Sequence, residues 1–346
     1  MKPVCNIIKK HGMVLVVIVI ALASGILPAT ALTVIDDSGL TITLNATPER
    51  IVSLSPSNTE ILDALGLVDR IVGVTDVCDY PPEVKNKTRI GGYSAISIEK
   101  VAAARPDLVV ASDLTPKETV SRLRDIGLAV VVVAPRNIDH MIRDIRMVGT
   151  LTGTESRAEV LAARLSDRIA AVLPCPSASG RPTVAHVVWN KPLYVSGNDT
   201  LQNDVILHAG GVNIFAGQSG WGTVSLEEFL MKNPDIIIVS GGGGMDSSTR
   251  DVILEEFMTN PQYASLSAVK NHHVYSVNAD LISRPAPRIV DAVEQVARFI
   301  HPECFTHVTA TPVVTPTTPV KSSGFCAGSA VLLISLVVIL QRGRND

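Results

Sequence analysis

An α/β chain of two Rossmann-like lobes joined by a long rigid helix is what this sequence predicts, and three observations carry the prediction. The first is an internal repeat. The segment from Ser97 to Ser112 aligns without gaps on the segment from Ser225 to Ser240, an offset of 128 residues throughout. The second is an alternation of short apolar runs with amphipathic stretches, the mark of parallel strands linked by helices. The third is a 20-residue helical stretch, residues 154–173, lying between the two copies.

Each copy of the repeat carries the same local physics. Ser97 or Ser225 caps a short helix, and Glu99 or Glu227 sits two positions later, near the positive end of the helix dipole. Pro106 or Pro234 stops that helix, and Asp107 or Asp235 turns the chain into a run of four apolar residues suited to a buried parallel strand. Two such copies predict two lobes of similar build.

The remaining elements follow in order. In the first lobe, strands are expected at 51–54, 71–74, 108–111 and 128–133, with a helix near 116–126. Another helix follows the first strand; Pro56 suits its first turn, Ser57 and Glu60 suggest a capping box, and Gly66 ends it. In the second lobe, strands are expected at 183–188, 236–239 and 273–277, and helices near 200–209, 249–258 and 287–300. Between the lobes, 139–151 and 154–173 read as helices parted by Thr152 and Gly153. Leu161, Leu165, Ile169 and Val172 give the longer piece a core-facing stripe. At 1.5 Å per residue it spans roughly 30 Å, the length of a strut between lobes.

The ends of the chain read differently. Lys2, Lys9 and Lys10 precede an apolar run over 13–27, and Ala29-Thr30-Ala31 fits a signal-peptidase site. Residues 308–323 are rich in Thr, Val and Pro and read as an extended stalk. Residues 325–340 are apolar and are followed by Arg342 and Arg344, which predicts a membrane-inserted segment with a cytoplasmic end. The expected organisation is therefore signal peptide 1–31, N-terminal lobe 32–138, interlobe helix 139–173, C-terminal lobe 174–307, stalk 308–323 and transmembrane or sorting segment 324–341. An exported compartment permits disulfides. Cys175 and Cys304 each follow a predicted helix and are the preferred pair, leaving Cys78 as a buried thiol. Sequons at Asn45, Asn86 and Asn198 suit a glycosylated surface protein.

Composition and missing motifs exclude several activities. The net charge is −3 with no long run of one sign, which disfavours a phosphate-driven nucleic-acid binder. Gly241–Gly244 is not followed by Gly-Lys-Ser/Thr, so no nucleotide P-loop is expected. No Gly-x-Ser-x-Gly elbow is present. His272 and His273 are adjacent, and neighbouring strand residues point to opposite faces, so they do not share one metal. The other histidines show no ligand spacing; no metal and no cofactor of its own is expected, and the chain reads as no enzyme.

Residues 48–303 resemble the periplasmic-type solute-binding proteins of ABC importers for vitamin B12, haem and ferric siderophores. The resemblance rests on the opening segment Pro48 to Glu60, on Asp79-Tyr80-Pro81-Pro82, on Arg105 to Val109, on Ser196-Gly197 and on Arg284 to Ile289, in the expected order. It implies the class III binding-protein architecture, a ligand between the lobes, and a monomer that docks on an ABC permease dimer with its ATPase subunits. Cobalamin or another corrinoid is the ligand it favours; a ferric siderophore or haem is the alternative, so the cargo is a cobalt corrinoid or an iron chelate. Tyr93 and Trp221, equivalent in the repeat and flanked by glycines, are the candidate stacking faces for a flat macrocycle. Tyr194 aligns with a ligand-contacting aromatic of the B12-binding members, and Asp280 and Arg284 with polar groups at the same rim. Val77 and Ser283 stand where those members can carry an aromatic and an acidic residue. Glu99 and Glu227 match the exposed glutamates that dock such proteins on the two permease subunits.

The tail resembles archaeal C-terminal surface-sorting signals, with Ser323-Gly324-Phe325 in place of Pro-Gly-Phe. The expectation is an exported protein at the cell surface, anchored to the cytoplasmic membrane by its C-terminus. Two other classes remain: a surface adhesion or envelope-structural module, which the stalk and sequons suit, and a metal-chelatase-like enzyme, which the lack of His/Glu cleft ligands opposes.

Overall fold

Two sets of apolar runs build two separate sheets, one on each side of the helical segment between the repeats. The computed structural model describes residues 31–172, 180–242 and 251–305. The chain enters as an antiparallel hairpin, β1 (Leu32–Ile35) and β2 (Thr41–Leu44). The first sheet comprises β3 (Ile51–Ser53), β4 (Ile71–Val74), β5 (Thr88–Arg89), β6 (Leu108–Ala111) and β7 (Val130–Val132). It is wholly parallel, in the order β5-β4-β3-β6-β7. Its helices are α1 (Pro56–Ala64), α2 (Ile98–Ala103) and α3 (Lys117–Asp125). Then come α4 (Ile138–Thr152) and α5 (Glu155–Val172).

The second sheet uses β8 (Thr183–Asn190), β9 (Leu193–Ser196), β10 (Val212–Asn213), β11 (Trp221–Thr223), β12 (Ile236–Gly241) and β13 (Val274–Asn278). The order is β11-β9-β8-β12-β13, with β10 beside the start of β8. Strands β8, β12 and β13 are parallel, whereas β9 and β11 extend the sheet antiparallel. The helices are α6 (Leu201–His208), α7 (Leu226–Lys232), α8 (Val252–Thr259), α9 (Ser267–Lys270), α10 (Ala279–Ser283) and α11 (Ile289–Ile300). The two-lobed α/β architecture is thus present.

The repeat folds alike in both copies. Ser97 Oγ accepts from Lys100 N at 3.2 Å and Ser225 Oγ from Glu228 N at 3.0 Å, capping α2 and α7. Arg105 and Asn233, the equivalent residues before the prolines, both have positive φ, 47° and 42°. The prolines bar an α conformation there, and a left-handed residue lets the chain reverse into the strand. Asp107 Oδ2 then accepts from the backbone N–H of Glu49 and Arg50, at 2.8 and 2.9 Å. Asp235 Oδ2 accepts from the N–H and hydroxyl of Thr183, at 2.8 and 2.6 Å. Each aspartate therefore pins the start of the neighbouring strand, β3 or β8, to the start of its own.

One apolar core runs through both lobes. It joins Ile51, Leu108 and Val131 of the first sheet to Val184, Ile236 and Val277 of the second, by way of α4, α5, α6 and α11. Ala158, Leu161, Ala162, Leu165 and Ile169 are the buried stripe of α5 within it. The other face of each sheet has its own cluster, under α2 and α3 in one lobe and under α7, α8 and α9 in the other.

Several expectations change. The interlobe segment is a helical hairpin: α4 and α5 pack on each other across Gly153, whose φ of 65° closes the end of α4. Only α5, at 18 residues about 27 Å long, acts as the strut. The cap of α1 is Ser55, whose side chain accepts from Asn58 N, so the Ser57/Glu60 capping box does not form; Glu60 is drawn into ion pairs described below. The short strands β9 and β11 and the N-terminal hairpin were not expected. Cys78 is a buried free thiol beside the hydroxyls of Thr59 and Thr75. Cys304 is disulfide-bonded, and Cys175 lies outside the described residues. So do the signal segment, stalk, tail and Gly243–Gly244. Among the described residues no helix is long and apolar enough to cross a membrane. At the third sequon, Asn198 already donates to Ala216 O, and Thr200 is buried as the cap of α6.

The tightest point of the helical hairpin is Gly149 of α4, where an added Cβ would land on the Cβ of Ala158 of α5. Glycine to alanine inside a helix ordinarily stabilises by about 0.5–1 kcal/mol. Here overpacking wins, and Gly149→Ala is expected to lower stability by about 1–3 kcal/mol in denaturant unfolding. A stabilised variant would show that the helices part without cost.

Candidate functional site

The carboxyl ends of the two sheets meet, and a cluster of charges shows where. Arg284 follows α10 and Arg288 precedes α11, so both leave the carboxyl end of β13. Glu60 lies in α1, just beyond β3, and Asp79 and Tyr80 lie in the segment after β4. Arg284 Nη1 donates to Glu60 Oε1 at 3.1 Å and to Asp79 Oδ1 at 2.8 Å. Its Nη2 pairs with Asp280 Oδ1 at 2.9 Å. Arg288 binds the same Glu60 carboxylate through Nε at 2.8 Å and Nη2 at 2.6 Å, and its guanidinium lies 3.8 Å above the Tyr80 ring.

Glu60 is only 2% exposed, so two arginines from one lobe hold a buried anion of the other. Burial alone would lower the Arg284 pKa, but the hydrogen bond to Asp79 and the charges of Asp280 and Glu60 raise it. The Glu60 hydrogen bond likewise raises Arg288. Both guanidinium groups stay charged, and the cluster acts as a permanent brace across the carboxyl edges. Arg284, expected at the ligand rim, here faces three carboxylates. Asp280, expected at the rim, is one of those carboxylates.

Beside the brace the second sheet carries an aromatic face. Tyr194 of β9 stands opposite Thr223 of β11 and, past a bulge, opposite Trp189 of β8. Cross-strand partners project to the same side. Trp221 pairs with Ser196, two residues from Tyr194 and therefore on that side too. Leu193 and Val195 point the other way, into the outer core. The aromatic side is thus the one bearing α6 and α11, the helices that pack on α4 and α5. Tyr194 is 36% exposed and both tryptophans 50%, high values for large aromatics in a sheet. Trp189 was missed by sequence reasoning, because the predicted strand ended at residue 188 and the bulge was not foreseen. Strand β8 ends here, so the row Trp189–Tyr194–Thr223 lies at the carboxyl edge.

Tyr93 occupies the matching edge of the first sheet but in a different setting. It lies in a tight loop after β5, closed by a bridge between Gly91 and Ile96. Gly91 has φ 112°, and a Cβ there would strike the carbonyl of Ala95. Tyr93 is 37% exposed. Val77 and Tyr80, in the segment after β4, are 41% and 36% exposed. Both carboxyl edges therefore present apolar faces to solvent, flanking a charged brace. Behind the brace, Glu60, Asp63, Tyr80, Arg164, Arg168 and Arg288 line a cavity of about 250 Å³ against α5. It falls below the ~300–1,000 Å³ of ordinary small-molecule sites, so the open aromatic face is the candidate site.

Glu99 and Glu227 are exposed in the first turns of α2 and α7. The Glu99 carboxyl is held below its usual range by its own backbone N–H and by the Ser97 hydroxyl, 2.9 Å away. The described residues contain no Ser/His/Asp or Cys/His arrangement on this face that would carry covalent catalysis.

Comparison with known proteins follows the same lines. The periplasmic binding protein family matches residues 51–281. The uncharacterized ABC transporter substrate-binding lipoprotein YvrC of Bacillus subtilis is 31% identical over 281 residues, 79% of this chain and 86% of that protein. The vitamin B12-binding protein of Vibrio cholerae is 32% identical over 255 residues, 73% of this chain and 89% of that protein. The solved structure of the periplasmic heme-binding protein RhuT from Roseiflexus aligns at a TM-score of 0.64 and 26% identity, over 74% of this chain and 99% of that one.

Glu60→Gln tests the brace. It keeps the shape of the side chain but leaves two partly buried guanidinium groups short of a counter-charge. Removing one partner of a buried ion pair costs about 3–5 kcal/mol, and a loss of about 3 kcal/mol is expected in urea unfolding at neutral pH. An unchanged midpoint would show that the lobes are held by α5 alone.

Proposed function

The chain belongs to the periplasmic binding protein family, and from that premise we propose that it holds cobalamin or another corrinoid between its lobes and delivers it to a permease. It is a non-enzymatic, substrate-binding component of an ABC transporter of the B12, haem and siderophore type. The observation that carries the corrinoid reading is the exposed aromatic face of Trp189, Tyr194 and Trp221 at a carboxyl edge of the second sheet. A wide, flat macrocycle gains most from such walls, because stacking removes a large apolar area from water. The likeness to the Vibrio B12-binding protein supports the same ligand. A ferric siderophore or haem is the second reading, favoured by the likeness to RhuT. Against the siderophore, Arg284 and Arg288 are committed to carboxylates and leave little free positive charge for an anionic chelate.

The site works by complementarity. Rigid aromatic rings lose little conformational entropy on binding, and the strut and brace keep the lobes near their bound separation, so ligand binding need not first order the protein. Release then falls to the permease. Glu99 and Glu227 stand at equivalent positions on the two lobes, as a near-two-fold partner requires, and are the docking points of this proposal. The protein works outside the cytoplasm, as an exported monomer tethered by the apolar segment near its C-terminus.

The chain contains two tryptophans, Trp189 and Trp221, and both lie on the proposed stacking face. Fluorescence therefore reports on the site itself. Titration with cyanocobalamin is expected to quench it saturably, and Trp221→Ala to weaken binding at least about tenfold, the equivalent of 1.4 kcal/mol. Haem and a ferric hydroxamate run in parallel separate the two readings; silence with all three would remove the proposal.

The docking assignment is tested apart from binding. Glu99→Ala combined with Glu227→Ala is expected to leave cyanocobalamin affinity unchanged and to abolish stimulated transport in vesicles bearing the cognate transporter. Transport at the wild-type rate would remove these residues from the interface.

A further inference from the structure

We propose that Asp37, His140 and Asp144 form a binding site for a divalent transition cation of the zinc class, which fastens the N-terminal hairpin to α4. None of these residues belongs to the aromatic face or the brace, so the inference stands apart from the ligand reading. Asp37 lies just past β1, while His140 and Asp144 sit four residues apart on one face of α4. Asp37 Oδ1 is 2.9 Å from His140 Nε2, and Nε2 is 3.5 Å from Asp144 Oδ1. The three ligand atoms all lie within 4.8 Å of one another. Zinc bonds of about 2.0–2.2 Å in tetrahedral geometry place donors about 3.3–3.6 Å apart. The cluster is already close to that size.

Two further observations point to a cation. The Asp144 side chain is fully buried, and its Oδ2 has no hydrogen-bond partner. A buried carboxylate oxygen left unpaired is costly, and a metal ion meets that need. The second is the place of Arg143. Its Nη2 stands among the three donors, 2.9 Å from Asp37 Oδ1, 3.4 Å from Asp144 Oδ1 and against His140 Nε2. A positive charge therefore already stands beside the three donors. The Arg143 side chain is 64% exposed, so it can swing into solvent and yield its place.

The surroundings orient the ligands. Asp37 Oδ2 accepts from the backbone N–H of Ala134 at 2.6 Å, which turns Oδ1 toward the histidine. Asn137 caps α4 by accepting from His140 N at 2.8 Å and fixes the turn that carries the ring. Ligation through Nε2 puts the ring proton on Nδ1, so the backbone N–H of Arg136, 3.4 Å from Nδ1, has to turn aside. One nitrogen and two carboxylate oxygens suit zinc, with water completing the shell.

The test uses the purified full chain, stripped with a chelator and titrated at neutral pH with Co²⁺ as a spectroscopic probe. One Co²⁺ per chain is expected, giving visible d–d absorption that Zn²⁺ abolishes by displacement. Disturbing only the groups that orient a metal ligand costs about 10–100-fold in affinity, so His140→Ala and Asp144→Asn are each expected to lose at least about 100-fold. Arg143→Ala is expected to bind as tightly as the wild type or more tightly, since it removes a competing positive charge. Zn²⁺ should raise the melting temperature of the wild type and of Arg143→Ala while leaving His140→Ala unmoved. Should Asp144→Asn fail to fold, Asp37→Asn serves in its place. Absence of stoichiometric binding in both wild type and Arg143→Ala overturns the proposal, leaving a cluster held by Arg143 and a shared proton. Binding that persists unchanged in His140→Ala overturns it equally.

Discussion

The distance between the two carboxyl edges is fixed by α5, and the rest of the site follows from that. The helix shares one continuous apolar core with both sheets. Such cores are close-packed and resist gradual deformation. Swinging one lobe away from the other would expose the stripe from Ala158 to Ile169, at about 25 cal/mol for each Å² of apolar surface uncovered. The Gly149–Ala158 contact tightens the same hairpin from the other side. Glu60 then joins the lobes beside α5, through arginines that bury with it. Strut and brace together favour a gap that is preformed and narrow in its range of motion. A ligand entering it gains little by induced closure, so its affinity has to come from surfaces already in place.

Much of this was legible in the sequence wherever the signal was local. Helix caps, the proline stops and the four-residue apolar strands are set by neighbours in the chain, and both copies of the repeat fold as their spacing requires. The equal positive φ of Arg105 and Asn233 goes beyond this, because a following proline favours extended backbone and the left-handed turn has no signal in the spacing. What failed was long-range. The partners of Arg284 stand 224 and 205 residues away, and no spacing rule connects them. Arg284 was assigned to the rim by resemblance, while its pairing with Glu60, read as a cap, had no sequence signal. The metal-type cluster escaped for the same reason. His140 and Asp144 are a spaced pair on one helix, but the third donor comes from the hairpin, 103 residues away.

The aromatic face was half legible, and the missing half is instructive. Tyr194 was singled out by resemblance and Trp221 by its place in the repeat, but strands β9 and β11 were not expected, because Leu-Tyr-Val-Ser and Trp-Gly-Thr are too short and too mixed to show a period. The repeat also overstated the symmetry between lobes. Tyr93 and Trp221 are equivalent by offset, yet one lies in a glycine-closed loop and the other in an edge strand. The difference arises because the second lobe adds antiparallel strands where the first ends in the short parallel β5.

That addition explains why the large aromatics of the second lobe lie open. A parallel sheet is built from crossover connections that lay helices over both faces, so its strands are buried throughout, as β6 and β12 largely are. The β8–β9 connection is a tight reversal at Lys191-Pro192, and no helix crosses over it. Tyr194 and Trp221, on the inner side of β9 and β11, are left 36% and 50% exposed. Large rings left half in water at the meeting line of two lobes are unfavourable in isolation. Under the corrinoid proposal they become favourable when a flat apolar guest replaces that water, and ligand selection then falls to the second lobe, with Tyr93 and the anion of the brace coming from the first.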